Sequence, residues 1–319
     1  MFNLDRAVLE EASSRTGFIR DNLEKVYRLA DILSFINESD YLSSRLALKG
    51  GTAINLTVFD LPRLSVDIDL DYSVEASREK MLEEREEIEN IITRYMNASG
   101  YSVDSDRGKA VHSLGSWAFS YTNSGGNRDN IKVEINYSMR NHVLPLERRN
   151  VTIDFIGQSF DVTRLATQEL FGSKIKALIE RTAARDLYDI HNMIKENVIA
   201  DEDRALLRKI VLFYLTVGST GEFKEDIKLD AIDNLTFTKV RQTLLPVLRK
   251  SVYVDLDGMK QDVKDYLSKL LVFTNEEKDY VNNFRKGRYI PELLFDDEEI
   301  IKRIKNHPMA LWKARNIAD

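Results

Sequence analysis

Apolar residues recur at helical spacing along 20–36, RDNLEKVYRLADILSFI. Leu23, Val26, Tyr27, Ala30, Leu33 and Ile36 fall three or four apart and predict an amphipathic helix. A short apolar strand, Leu46 to Leu48, then runs into Gly50-Gly51, and Thr52 to Phe59 reads as a short helix that stops before Pro62. Over 64–72 the period drops to two. Val66, Ile68 and Leu70 alternate with Ser65, Asp67, Asp69 and Asp71, which predicts a half-buried strand. Residues 77–98 return to helical spacing with Met81, Ile88, Ile91, Ile92 and Tyr95 inward, and their glutamates form a solvated face.

Three strands are expected within 101–138. NSGGNRDN writes the turn between the second and third, since glycine, asparagine and aspartate accept positive φ. The third strand, IKVEINY, sets Ile131, Val133 and Ile135 on one face and Lys132, Glu134 and Asn136 on the other. Trp117, Phe119 and Tyr121 alternate on the preceding strand, a packing pattern. VTIDFIGQSFDV (151–162) predicts a further hairpin. From Thr167 the pattern is helical, with Leu187, Ile190 and Ile194 spaced as core, and no strong strand pattern follows Asn197. The parse is an α/β domain over 1–165 followed by a mainly helical region over 166–319.

Composition narrows the chemistry. The 319 residues suffice for two domains, and 43% apolar content can bury a core. No apolar run approaches bilayer length, and the N-terminus MFNLDRAVLEEASSR carries acidic residues where a secretory signal needs an apolar core. A cytoplasmic protein with no membrane partner is expected. The absence of cysteine excludes disulfides, a thiol nucleophile and cysteine-based zinc sites. His112, His142, His191 and His307 lack ligand spacing and read as surface or core residues. A net charge of −6 argues against a uniformly basic nucleic-acid coat. The basic excess near the C-terminus (Lys302, Arg303, Lys305, Lys313, Arg315) reads as balance for the acids at 296–299 more than as a phosphate contact. Trp312 reads as a helix-packing anchor.

The aspartates carry the candidate chemistry. Residues two apart on a strand share a face about 7 Å apart, so Asp67 and Asp69 project side by side and repel unless a proton or cation lies between them. Hard oxygen ligands suit Mg²⁺ or Mn²⁺. Glu134, on a strand of the same alternation, is the candidate third carboxylate; together the three would make a two-metal site for phosphoryl or nucleotidyl transfer. Asp71 sits where the strand ends and reads as peripheral. Taken alone, the pattern fits equally the charged face of an edge strand guarded against aggregation. The glycine turn shifts the balance, because glycines between a strand and a helix bring free amides and a positive dipole end up to a phosphate. The chain lacks both G-x-x-x-x-G-K-[ST] and G-x-G-x-x-G.

G-G-T followed by R-x-S-x-D-I-D-L resembles the signature of the nucleotidyltransferase superfamily. More narrowly, KGGTAINL, PRLSVDIDL, IKVEI and SKIKALIERTAARDLYDI resemble the AbiEii/AbiGii toxin family of type IV toxin–antitoxin and phage-defence (abortive-infection) systems, and PELLFDDEEIIKRIKNHPMALWK resembles its helical C-terminus. The likeness spans most of the chain, with nothing matched over about 200–275. It implies an α+β fold: a nucleotidyltransferase-like mixed sheet with flanking helices, then a mainly helical domain contributing Lys174 and Asp186 to the site. It further implies Asp67, Asp69 and Glu134 as metal ligands, and Gly50, Gly51 and Thr52, preceded by Lys49, as the triphosphate cradle. Ser65 and Arg63 add phosphate contacts, although Arg63 reads equally as a surface arginine.

Lys174 would neutralise triphosphate charge, with Asp186 positioning it or acting as base; Asp189 joins them less firmly, while Lys176 and Glu180 read as a surface ion pair. The implied activity is transfer of a nucleoside monophosphate from an NTP to an acceptor hydroxyl, with Mg²⁺ or Mn²⁺ as cofactor. The implied acceptor is the tRNA 3′ end, and the implied partner is an antitoxin encoded nearby. AMPylation or phosphorylation of a protein by the same fold, and a non-catalytic nucleotide-binding protein, are the competing readings. The loop 104–116 is where an acceptor would be read.

Overall fold

The computed structural model describes residues 5–103, 113–155, 157–218 and 227–318, so His112 and most of the loop 104–116 lie outside the described residues. The chain forms two compact units. The first comprises residues 1–140, 146–165 and 246–252, and the second 141–145, 166–245 and 253–319.

The first unit is built on helices α1 (Arg6–Thr16), α2 (Arg20–Glu38), α3 (Asp40–Ser43), α4 (Gly50–Thr57) and α5 (Arg78–Ala98). Its strands are β1 (Leu46–Lys49), β2 (Asp67–Tyr72), β3 (Ser102–Val103), β4 (Leu114–Thr122), β5 (Arg128–Asn136), β6 (Glu147–Ile153) and β7 (Gln158–Arg164). They form one mixed sheet in the order β3-β4-β5-β2-β1-β7-β6, parallel at β2–β5 and β1–β7 and antiparallel elsewhere. The aspartate strand β2 is therefore interior, which overturns edge protection as the reason for its charges. Two charged carboxylate positions on an interior strand need another explanation.

Helical and strand periods placed most core residues. Leu23, Val26, Ala30, Leu33 and Ile36 of α2 and Met81, Ile88 and Ile92 of α5 are buried, as are Ile68 and Leu70 on the face of β2 opposite the aspartates. Phe119 and Tyr121 are buried on β4. The hairpin β6–β7 starts four residues before the predicted one. Segment 246–252 belongs to this unit through backbone bonds Leu64 N–H to Val247 O (2.8 Å) and Lys250 N–H to Gly17 O (2.9 Å).

The second unit is helical, with no strand among its described residues. It holds α6 (Thr167–Arg181), α7 (Ala184–Lys195), α8 (Arg204–Gly218), α9 (Phe237–Thr243), α10 (Leu256–Leu270), α11 (Asn275–Phe284), α12 (Glu298–Ile304) and α13 (Pro308–Ala318). Helices α6 and α10, among others, pack on α8, whose run Ile210 to Val217 is buried on all sides. His142 and His307 are buried, and His191 faces Asp262 at 3.2 Å. Trp312 departs from expectation: it is 60% exposed. The helix places its neighbours Ala310 and Ala314 inward instead, and Trp312 falls on the outer face.

Candidate active site

In the first unit, strand register assembles the carboxylates. Asp69 pairs with Glu134 across the parallel β2–β5 ladder, and Asp67 pairs with Lys132, so Asp67, Asp69, Lys132 and Glu134 share one face of the sheet. Asp67, Asp69 and Glu134 are half-buried. Glu134 accepts a bond from Lys132 Nζ at 2.7 Å. The sequence reading set Lys132 on the Glu134 face but gave it no part in the site.

The glycine pair forms the first turn of α4 itself; the predicted helix began two residues later. Gly50 takes φ +70°, a left-handed conformation that side chains disfavour, and a Cβ there would stand 2.6 Å from Asp69 Oδ2. The missing side chain is thus what lets Asp69 lie against the start of α4. At Gly51 a Cβ would meet Arg63 at 2.6 Å and Ser65 Oγ at 3.2 Å. Arg63 is no surface residue. It is 1% exposed, lies against the first turn of α4 and donates to the Leu64 carbonyl at 3.0 Å.

Thr52 is buried; its hydroxyl bonds Ser65 Oγ at 2.9 Å and the Asp67 carbonyl. It therefore ties α4 to the start of β2 and faces inward. Lys49, the residue before α4, gives its amine to Asp71 at 2.5 Å.

The donor set suits a hard divalent ion in type, being all carboxylate oxygen, and in placement on one sheet face. It is not gathered into a ready cage. Among the described residues no three His, Cys, Asp or Glu side chains stand close enough together to hold a metal ion.

In the second unit, Lys174 is buried between two carboxylates, with Nζ 3.0 Å from Asp186 Oδ1 and 3.1 Å from Asp189 Oδ2. Arg181 joins Asp186 at 2.7 Å. Thr182, left-handed at φ +47°, ends α6 so that α7 can begin at Ala184 and bring Asp186 and Asp189 back to Lys174. Burial pushes the Asp186 pKa up, but Lys174 and Arg181 outweigh it and hold the carboxyl below its usual range. Lys174, Asp186 and Asp189 are buried, so the surface ion-pair alternative fails for them, although Arg181 itself is exposed; it holds for Lys176 and Glu180, 2.8 Å apart and one helical turn from each other. Glu169, which the sequence did not single out, is fully buried and accepts from the Val143 and Leu144 amides and the Tyr214 hydroxyl.

The architecture is that of a nucleotidyltransferase. The nucleotidyltransferase toxin MenT4 of Mycobacterium tuberculosis H37Rv has a similar structure, with a TM-score of 0.67 over 97% of this chain and 99% of that one, at 17% identity. The family model described as "Nucleotidyl transferase AbiEii toxin, Type IV TA system" matches residues 35–281. The chain belongs to that family of type IV toxin–antitoxin nucleotidyltransferases. No curated protein matches the chain.

Proposed function

We propose that this enzyme transfers a nucleoside monophosphate from an NTP to the 3′-terminal hydroxyl of tRNA, blocking translation, and that Asp67, Asp69 and Glu134 form its divalent-metal site. The observation that carries the metal site is the register: Asp69 and Glu134 are paired neighbours on one face, with Asp67 two residues from Asp69. When bound, the ion would neutralise triphosphate charge and activate the acceptor hydroxyl. Glu134 would exchange Lys132 for the ion. The amides at Gly50 and Gly51 would receive the phosphates, with Arg63 and Ser65 beside them.

In the reaction the acceptor oxygen would bond the α-phosphorus, the bond to pyrophosphate would break, and the acceptor proton would pass to solvent water. Lys174 would counter the charge of departing pyrophosphate. The lowered pKa of Asp186 makes it a poor base, which favours its positioning role on Lys174 over proton abstraction.

Purified protein with Mg²⁺, labelled NTPs and total tRNA should label tRNA at the 3′ end. Asp67→Ala and Asp69→Ala should each reduce labelling by about a hundredfold or more; full labelling in both variants would remove the metal assignment. Label found on protein in place of tRNA would assign a protein hydroxyl as acceptor. Family membership implies a cognate antitoxin, and growth arrest on expression, relieved by the neighbouring gene, would test that role.

A further inference from the structure

Helix α13 buries Ala310 and Ala314, which sets Trp312 near the middle of its outer face; Arg315 and Asn316, three and four residues on, share that face and are exposed. A tryptophan left in water forgoes a large gain from burial. The charge around it in the sequence is of one sign. Residues 300–318 hold Lys302, Arg303, Lys305, Lys313 and Arg315 and no acid, in a chain of net charge −6. The acids at 296–299 are occupied elsewhere. Asp296 faces Lys209 at 2.5 Å, Asp297 caps α12 by accepting from the Glu299 and Ile300 amides, and Glu298 and Glu299 lie in the first turn of α12, where the helix dipole favours them. The reading of these cations as a balance for those acids therefore loses its support.

Beside the indole, half-buried Lys313 is crowded by a second cation. Its pKa is held below the usual lysine range, first by burial and then by Lys176 of α6, with Glu180 only partly offsetting them. An anion at this spot would relieve the repulsion. We propose that the outer face of α13 docks RNA, with an unstacked base lying on Trp312 and backbone phosphates meeting Arg315 and the Lys313–Lys176 pair. Aromatic faces accept any base, and flanking cations accept the phosphates. A protein partner would also cover the indole, but protein interface cores are poor in lysine. The inference rests on the reading of tRNA as acceptor given above, and adds where that RNA is held. Lys176 lies two residues from Lys174, about 200° round the helix, so this surface is distinct from the Lys174–Asp186 cluster.

The full-length protein is titrated into fluorescently labelled total tRNA with Mg²⁺ and no NTP, following anisotropy, so that binding is read apart from transfer; circular dichroism checks folding. Trp312→Ala should weaken binding about tenfold, the loss of one stacked base, and Trp312→Phe should stay within about threefold of the unaltered protein because a ring face remains. Arg315→Gln should lower the slope of log Kd against log salt by about one, the loss of one phosphate contact. In the transfer assay Trp312→Ala should raise KM for tRNA and leave kcat within about twofold, since the change touches docking only.

Binding by Trp312→Ala and Arg315→Gln equal to that of the unaltered protein overturns the inference alone. So does an unaltered protein that sediments as a dimer and a Trp312→Ala variant that sediments as a monomer, because the indole would then be covered by a second copy. Absence of tRNA binding by the unaltered protein overturns the reading of tRNA as acceptor, and the inference falls with it.

Discussion

Lys174 shows how a single buried cation depends on its surroundings. With Asp186 and Asp189 at 3.0 and 3.1 Å and nearly no solvent, it is held by charges that would otherwise be costly to bury. Lys174→Met should destabilise the protein by about 3 kcal/mol at pH 7, since it leaves two buried carboxylates short of a partner. The pH dependence has a definite sign. The folded-state pKa of Asp186 lies below its usual 3.8, so its stabilising contribution is full above that value and disappears as pH falls through the lower folded-state value. Without Lys174 one of the two cations that hold this pKa down is lost, and the pKa rises relative to that in the unaltered protein. The stability gap between the protein and Lys174→Met should therefore narrow as pH drops from 7 to 3, as read from urea midpoints. A gap that stays constant would mean that Lys174 acts through packing alone. The motif SKIKALIERTAARDLYDI made Lys174 and Asp186 visible in the sequence. Their burial was not, because a charged residue on a helix carries no mark of which neighbours surround it. Arg63 hid for the same reason: beside Pro62 it reads as a turn residue, and only the close approach of Gly51 shows where its guanidinium lies.

At the scale of elements, β2 was legible because its two faces meet different environments, giving a strict period of two. Helix α10, with Leu256, Met259, Val263, Leu267 and Leu270 at helical spacing, was legible as part of the mainly helical stretch, although its own bounds were not drawn. Helix α8 is the harder case. Buried on all sides, it has no polar face to set a period, and a continuous apolar run does not separate helix from strand. The turn into α4 is the element on which the candidate site depends most. Gly50→Ala should cost about 1–2 kcal/mol from the left-handed backbone alone. Its effect on transfer should be larger, because the new Cβ at 2.6 Å must push Asp69 aside. A fall in kcat/KM of about tenfold or more, with a folded protein by circular dichroism, is the expected outcome. Activity equal to that of the unaltered protein would show that Asp69 need not lie against α4.

At the scale of the whole chain, sequence order and structural units diverge. A break at 165 is where strand patterns give way to helical ones, and it looks like a domain boundary. The first unit nevertheless includes residues 246–252, from far along the helical stretch, a fact no local pattern announces because long-range pairing leaves no periodicity. That segment is integral: Val247 and Leu248 are buried, and Leu64, Gly17 and Asn22 bond to its backbone. Arg249 also lies over the Phe18 ring at 5.1 Å from its centroid. Cutting the chain after 165 would leave the Leu64 amide and the Gly17 carbonyl without partners and uncover apolar surface that Val247 and Leu248 now occupy. A fragment of residues 1–165 should therefore melt broadly or at lower temperature than the sheet unit in the full chain, and bind a hydrophobic dye. Adding a synthetic peptide of residues 244–254 should sharpen the melt and reduce dye binding, because the peptide restores those bonds at the cost of its own ordering. A 1–165 fragment that melts cooperatively and is indifferent to the peptide would show that the segment only rests on a unit already complete.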